Sequence, residues 1–292
     1  MTNGSKVLNF YKTLPFNIKK DLIKKNNNIN FYHPHVKKLV LKHRNVIDIG
    51  CGPGHFINSI NLQLNRFPFS IKGFRKINCK GIDFNPTAII YGLKYSNKFK
   101  LSTEFILKSV FDISENDFNF KNNSIFIVAN GSLHHTDNCL SAIEIVLKKA
   151  CVFNRNISFL IGLYHYHGRK PFLEHFKNLK KQKKSEEYLK KEFHSLRGLS
   201  GDELNDESWY QDQVNHPLES QHTISEIYPL FKKYNFKLIN SSLDKFSGSN
   251  IEKLIDNEEQ QYHLGLQALK QKTYFPGYFT CLFSKDKWNK YM

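Results

Sequence analysis

Disulfide chemistry has little to work with in this chain. Its five cysteines (Cys51, Cys79, Cys139, Cys151 and Cys281) are scattered through 292 residues with no Cys-x-x-Cys pair. An odd count without metal-ligand spacing excludes a disulfide framework and a zinc ribbon. The expected setting is a reducing one, the cytoplasm. Long apolar runs are missing too. None approaches the roughly 20 residues that a membrane span needs. Lys6, Lys12, Lys19 and Lys20 break up the start, where a secretory leader would be apolar. No internal repeat is evident. Acids are scarce: 26 Asp and Glu face 43 Lys and Arg, a net charge of +17. Such an excess invites a nucleic acid or an anionic membrane. Here the lysines are spread along the whole chain, beside abundant Asn, Ile and Phe, as an AT-rich coding bias produces. The charge alone therefore assigns no partner.

The most informative stretch is Val46-Ile47-Asp48-Ile49-Gly50-Cys51-Gly52-Pro53-Gly54-His55-Phe56. It reads as a buried strand, a glycine-rich turn and a helix start. Glycines let a backbone pass close to a ligand, and the first amides of the following helix face that ligand with partial positive charge. The dinucleotide fingerprint requires G-x-G-x-x-G. Here the spacing is G-x-G-x-G, preceded by Asp48, which disfavours a nicotinamide-dependent dehydrogenase.

Apolar periodicity places further elements around this turn. A short helix at 35–42 feeds the first strand, 45–49. Phe56, Ile57, Ile60 and Leu64 form the core stripe of the next helix. A loop extension covers 66–80, a second strand 79–82 ends at Asp83, and Pro86 opens a helix. Further strands are expected at 103–108, 124–129 and 157–164, with a helix from Cys139. After residue 164 the rhythm breaks. A basic amphipathic helix or helix pair spans 171–196, and Thr223-Ile224-Ser225-Glu226 reads as a capping box. Asn235 closes that helix, a strand follows at 236–242, a helical excursion at 250–272 and a last strand at 278–284. A weak helix is expected near 17–25. Four segments result: a helical lead-in (1–44), a core (45–164), a helical insertion (165–222) and a C-terminal completion of the sheet (223–292).

An acid followed by G-x-G-x-G resembles motif I of the class I S-adenosylmethionine-dependent methyltransferases, of the small-molecule type. The resemblance covers residues 46–163 by motif and 223–284 by pattern. It implies an α/β, doubly wound, Rossmann-like sheet of seven mostly parallel strands in the order 3-2-1-4-5-7-6, with S-adenosyl-L-methionine as cofactor. It places Asp48, Gly50, Cys51, Gly52 and Gly54 at the cofactor's amino-acid end, and Asp83 with Phe84 at its ribose. Phe111 and Asp112 fall at its adenine, and Asn130 and Ser132 beside the cleft. Asn130-Gly131-Ser132-Leu133-His134-His135 is similar to the segment that follows strand four in small-molecule members. His134 and His135 are the candidate bases, since imidazole titrates near neutral pH. Packing of the pocket wall is the other role open to them.

Acceptor-side candidates are Tyr164, His165, His167 and Arg169 after the fifth strand, then Trp209, Tyr210, Asp212, His216, Glu219 and His222 in the insertion. The pattern Asp212-Gln213-x-x-His216-Pro217-x-Glu219-x-x-His222-Thr223 is similar to a segment of bacterial methyltransferases. Dense aromatic, acidic and histidine residues suit an acceptor-binding lid. His216, Glu219 and His222 stand at i, i+3, i+6, which can converge on an ion, but Pro217 and the lack of a defined helix argue for no metal. The chain lacks the N/D-P-P-Y/F clamp and the Pro-Cys nucleophile of base-modifying members, which disfavours a nucleobase acceptor. The expected acceptor is a small or lipid-linked metabolite. RNA, tracked by the lysines of 177–191, remains an alternative, as does a non-catalytic cofactor-binding or scaffold protein. Oligomeric state is left open.

Overall fold

The computed structural model describes residues 3–13, 33–65, 76–120, 122–248 and 250–285. The helix expected near 17–25 and the loop at 66–75 lie outside them. Ahead of both, a helix that sequence reading missed, α1 (Asn3–Thr13), covers the molecule's functional edge.

The core alternates strand and helix. In chain order these are α2 (Val36–His43), β1 (Asn45–Ile49), α3 (His55–Asn65), β2 (Asn78–Asp83), α4 (Pro86–Lys98), β3 (Thr103–Leu107), β4 (Ser124–Asn130), α5 (Cys139–Phe153) and β5 (Asn156–Tyr164). Three helices follow: α6 (Tyr166–Lys181), α7 (Glu186–Arg197) and α8 (Glu203–Val214). The chain then returns with α9 (Ile224–Lys233), β6 (Lys237–Ser241), α10 (Ile251–Asp256), α11 (Gln260–Lys270) and β7 (Tyr278–Ser284).

The seven strands form one sheet in the order β3-β2-β1-β4-β5-β7-β6, as the resemblance implied. Every pair from β3 to β5 is parallel, while β7 runs antiparallel to both β5 and β6. Strands covered on both faces carry near-continuous apolar runs, and adjacent side chains then serve opposite layers. Ile47, Ile125, Ile127, Phe159 and Ile161 pack under α5 and α9. Their neighbours Val46, Phe126, Val128 and Leu160 pack under α2 and α3. A third apolar cluster (Phe172, Phe176, Leu189, Phe193, Leu196 and Tyr210) belongs to α6, α7 and α8.

Two expectations need correction. Of the helix or helix pair expected over 171–196 the structure forms the pair, but the first helix begins before Pro171. His165 caps α6 by accepting the Gly168 N–H at 3.2 Å, and Ser185 caps α7 by accepting from Tyr188 N at 3.2 Å. The capping box at 223–226 is half made. Thr223 Oγ1 accepts the Glu226 N–H at 3.1 Å, but the Glu226 carboxylate turns to His222 Nδ1 at 2.8 Å.

Candidate active site

All parallel strands point their carboxyl ends to one edge, where open α/β sheets bind ligands. A cavity of about 520 Å³ opens along that edge. Its floor is the turn after β1, tied down because the Gly50 and Cys51 N–H groups both donate to Ile82 O, at 2.7 and 3.1 Å. Ser132 presses on the turn and donates its Oγ to Ile49 O at 2.8 Å. A Cβ on Gly50 would stand 2.2 Å from Ser132 Cβ, and its φ of +69° is a left-handed value, so only glycine fits. Gly54 does not line the cavity. Its missing Cβ makes room for the Phe105 ring beneath α3, which an added Cβ would meet at 2.6 Å.

The β1–β2 register pairs Ile49 with Ile82, so Asp83 emerges beside the turn. Its carboxylate accepts the Gly52 N–H at 2.8 Å and the Asn85 N–H at 2.8 Å. Burial raises its proton affinity, and those donors oppose the rise. Asp48 lies next to it in β1, between Gly81 of β2 and Val128 of β4. Burial, reinforced by the Asp83 charge, pushes its pKa up to about 8. A cationic group placed there would restore both carboxylates. Cys51, Gly52 and Phe84 complete this end of the cavity. After β3 the lining comes from Lys108, Ser109, Val110 and Phe111. Asp112 is exposed within the short turn Val110–Asp112 and is not among the residues that line the cavity.

The other half of the cavity is aromatic. His134 and His135 lie in the turn Leu133–His135, both buried. Leu218 O, 2.9 Å from His135 Nδ1, makes that nitrogen the donor, so His135 Nε2 accepts from His134 Nε2 at 3.0 Å. His134 Nδ1 is then a buried lone pair without a partner. Burial, helped by the neighbouring His135, holds His134 well below the ordinary imidazole range, so it is a neutral ring and a weak base. It packs against Tyr164 with centroids 4.4 Å apart.

Helical spacing on α8 sorts its candidates. Trp209, Asp212 and Gln213 share one face and line the cavity, whereas Tyr210 faces the apolar cluster of the insertion and donates to Glu186 Oε1 at 2.8 Å. Asp212 Oδ1 accepts from Tyr11 on α1 at 2.5 Å, and Oδ2 from Gln213 at 2.8 Å. Burial raises the proton affinity of Asp212, opposed first by His135, whose Nε2 lies 3.9 Å from Oδ1, and then by these donors.

Arg169, placed on the acceptor side from sequence, is fully buried and does not line the cavity. All five of its N–H groups are used. Glu219 takes two, at 2.9 and 2.8 Å. Gln213 takes two through its side chain and carbonyl, at 3.0 and 2.9 Å, and Pro276 O the last at 3.4 Å. Arg169 is thus a hub that fixes Gln213, which in turn donates to Tyr164 and Asp212. Four histidines also lie off the cavity. His165 pairs with Glu258 at 3.3 Å, and His167 packs on His165. His222 bridges Ser220 and Glu226, each at 2.8 Å. His216 stacks on His135 with centroids 3.8 Å apart.

His216, Glu219 and His222 therefore face different partners and do not converge. His135, Asp212 and His216 do approach one another, with ligand atoms within 4.8 Å. Yet Leu218 N donates to His216 Nδ1 at 3.1 Å, so His216 Nε2 carries the proton and neither nitrogen offers a free lone pair.

Sequence reading missed Val7 and Tyr11 on α1, and Tyr274 and Tyr278 near β7, all of which line the cavity. Val7, Phe10 and Tyr11 show i, i+3, i+4 spacing, a signal that was available. The lysines of 177–191 are partly engaged: Lys180 donates to Val214 O and Asn215 Oδ1, both at 2.8 Å, and Lys190 pairs with Glu207 at 2.5 Å.

Residues 41–235 match the family model described as a methyltransferase domain. A search of curated proteins finds no match. Among solved structures, PKMT2 from Rickettsia typhi is similar at TM-score 0.58 and 14% identity, over 89% of this chain and 54% of that one. Its complex with AdoHcy gives 0.54 at 13%, over 83% and 49%. The chain thus spans about half the length of that protein. The plantazolicin methyltransferase BpumL, in complex with a triazolic desmethylPZN analog and SAH, gives 0.48 at 14%, over 97% and 91%. Sheet order and glycine turn define the class I S-adenosylmethionine-dependent methyltransferase fold. The chain belongs to the methyltransferase domain family.

Proposed function

We propose that this chain transfers the methyl group of S-adenosyl-L-methionine to a small-molecule acceptor held in the aromatic half of its cavity. The observation that carries the reading is continuity: one cavity joins the glycine turn and Asp83 to Tyr11, Tyr164, Trp209 and Asp212. Its volume, about 520 Å³, is in the range of small-ligand sites. Asp83 accepts the ribose hydroxyls, the turn at 50–52 meets the amino-acid end beside Asp48, and Ser109 to Phe111 flank the base. A sulfonium methyl is already activated, so the protein's task is alignment, which is worth up to ~7–11 kcal/mol, and exclusion of water. His134, a neutral buried ring, and buried His135 shape the wall between the two halves. The insertion helix α8 and helix α1 roof the acceptor, and no helix among the described residues is long and apolar enough to cross a membrane.

Calorimetric titration with S-adenosylhomocysteine tests the cofactor half. Asp83→Ala is expected to weaken binding by about 1–3 kcal/mol. Unchanged affinity would move the ribose partner elsewhere, and no binding by the unmodified protein would end the methyltransferase reading.

A further inference from the structure

The protein carries a net charge of +17, yet its cavity is acidic. Four aspartates line it: Asp48 and Asp83 at the cofactor end, Asp137 and Asp212 at the other. Among the described residues the only Lys or Arg in the lining is Lys108, whose ammonium is held by both oxygens of Asp117, at 3.0 and 2.8 Å. Around Asp212 stand the rings of Tyr11, Tyr164, Trp209 and Tyr274. Two arginines touch these rings without lining the cavity. Arg169 lies 4.0 Å from the Tyr164 centroid and is paired to Glu219 at 2.8 Å. Arg197 lies 4.5 Å from Trp209 and is paired to Asp206 at 3.1 Å. Both guanidinium charges are therefore already matched. Neutral His134 supplies a buried lone pair and no charge.

The acceptor half thus offers a carboxyl group, a ring of π-faces and a buried lone pair, and among the described residues no unpaired Lys or Arg; His135 Nε2, 3.9 Å from Asp212 Oδ1, faces it as the acceptor of the His134 N–H. A carboxylate or phosphate in this space would meet Asp212 with no lysine or arginine to compensate it, a costly arrangement in a desolvated site. A cationic nitrogen would be drawn to the carboxylate and to the ring faces together. Resting on the methyltransferase reading above, we propose that the acceptor is an amine that enters as an ammonium ion, held by Asp212 within the aromatic ring of the chamber.

The chemistry balances with what the chamber contains. The ammonium gives one proton to the Asp212 carboxylate. The freed nitrogen lone pair forms the N–C bond to the methyl carbon, and the C–S bonding pair returns to sulfur. The products are a methylated ammonium, a neutral thioether and a protonated Asp212, which later releases its proton to solvent. Burial suits Asp212 to hold that proton in the interval.

The test uses full-length protein saturated with S-adenosylhomocysteine and three probes of one size: 2-phenylethylamine, 2-phenylethanol and 3-phenylpropionate. The expected ranking by calorimetry is amine at least tenfold tighter than alcohol, with the acid weakest. Asp212→Asn is expected to reduce amine affinity to that of the alcohol, with alcohol and S-adenosylhomocysteine affinities unchanged. Equal affinities, a preference for the acid, or no binding of any probe to the loaded protein overturns the proposal. So does an Asp212→Asn variant that retains the amine preference. Failure to bind S-adenosylhomocysteine in the first step overturns the methyltransferase reading itself and is scored separately. The ranking in the unmodified protein stands as a test even where the variant does not fold.

Discussion

Arg169→Met removes the hub beneath the acceptor chamber at nearly constant volume. The guanidinium is wholly buried, and its partner Glu219 has only 9% of its side chain exposed. Taking away one member of a buried ion pair strands the other, at a cost of about 3–5 kcal/mol. The carbonyls of Gln213 and Pro276 lose donors as well, while Gln213 keeps the Tyr274 hydroxyl and Glu219 keeps Gln221, both at 2.9 Å. A total near 4 kcal/mol is therefore expected. With an unfolding entropy of about 2.1 cal/mol/K per residue, a chain of this length loses about 6 °C in Tm. Urea denaturation gives the free energy, and hydrogen exchange along α8 shows whether the loss is concentrated at the segment that Arg169 clamps. Arg169→Met with Glu219→Gln should recover most of the stability, because no unpaired charge remains. A single variant that costs under 1 kcal/mol would refute the argument, as would a double variant no better than the single.

Two further outcomes follow from buried groups elsewhere. His43 sits between Ser124 Oγ and Ser158 Oγ, each at 2.8 Å, and burial pushes its pKa down to about 3. The unfolded chain binds a proton near pH 6.5 that the folded one refuses, so stability falls as pH drops from about 6.5 toward 3. Between pH 7 and 5 the loss from this residue is about 2 kcal/mol, and His43→Gln should flatten that part of a urea-denaturation series. A slope unchanged by the substitution would assign the pH dependence to other groups. Gly50→Ala forces a Cβ against Ser132 at a φ of +69°, and should destabilise the protein by about 1–3 kcal/mol while weakening S-adenosylhomocysteine binding. Unaltered binding would mean the turn relaxes without disturbing the site.

The sheet was legible because its signals are local. An apolar run bounded by polar residues marks 124–129 as a buried parallel strand, one residue short of β4, and Tyr278–Ser284 was placed to the residue. The helices of the insertion were less legible because their boundaries depend on side chains reaching back to the backbone. His165 is an unusual cap, and nothing in Tyr166-His167-Gly168-Arg169-Lys170 announces that α6 passes through Pro171. Glu226 fits a capping-box pattern by spacing, but the nearby His222 captures its carboxylate, a competition that only three-dimensional proximity reveals.

The two halves of the cavity divide along the same physical line. The cofactor end is built from short segments at consecutive strand ends, so each spacing in sequence maps onto a position in space, and Asp48, Gly50 and Asp83 could be named in advance. The aromatic end draws Tyr11, His134, Tyr164, Trp209, Asp212 and Tyr274 from five separate segments. Most of these residues could be listed as candidates, but no local pattern says which of them meet, and of two neighbours on α8 Trp209 lines the cavity while Tyr210 does not because a helix turns about 100° per residue. Asp212 shows what is lost in one dimension. Its sequence neighbours present it as one more polar residue on a lid. Its partners are a tyrosine 201 positions away, at 2.5 Å, and a glutamine that an arginine locks in place. Those contacts hold a carboxyl group among aromatic rings, with His135 Nε2 at 3.9 Å and no unpaired Lys or Arg beside it among the described residues, which is the basis for proposing a chamber whose electrostatic preference is opposite in sign to the net charge of the chain.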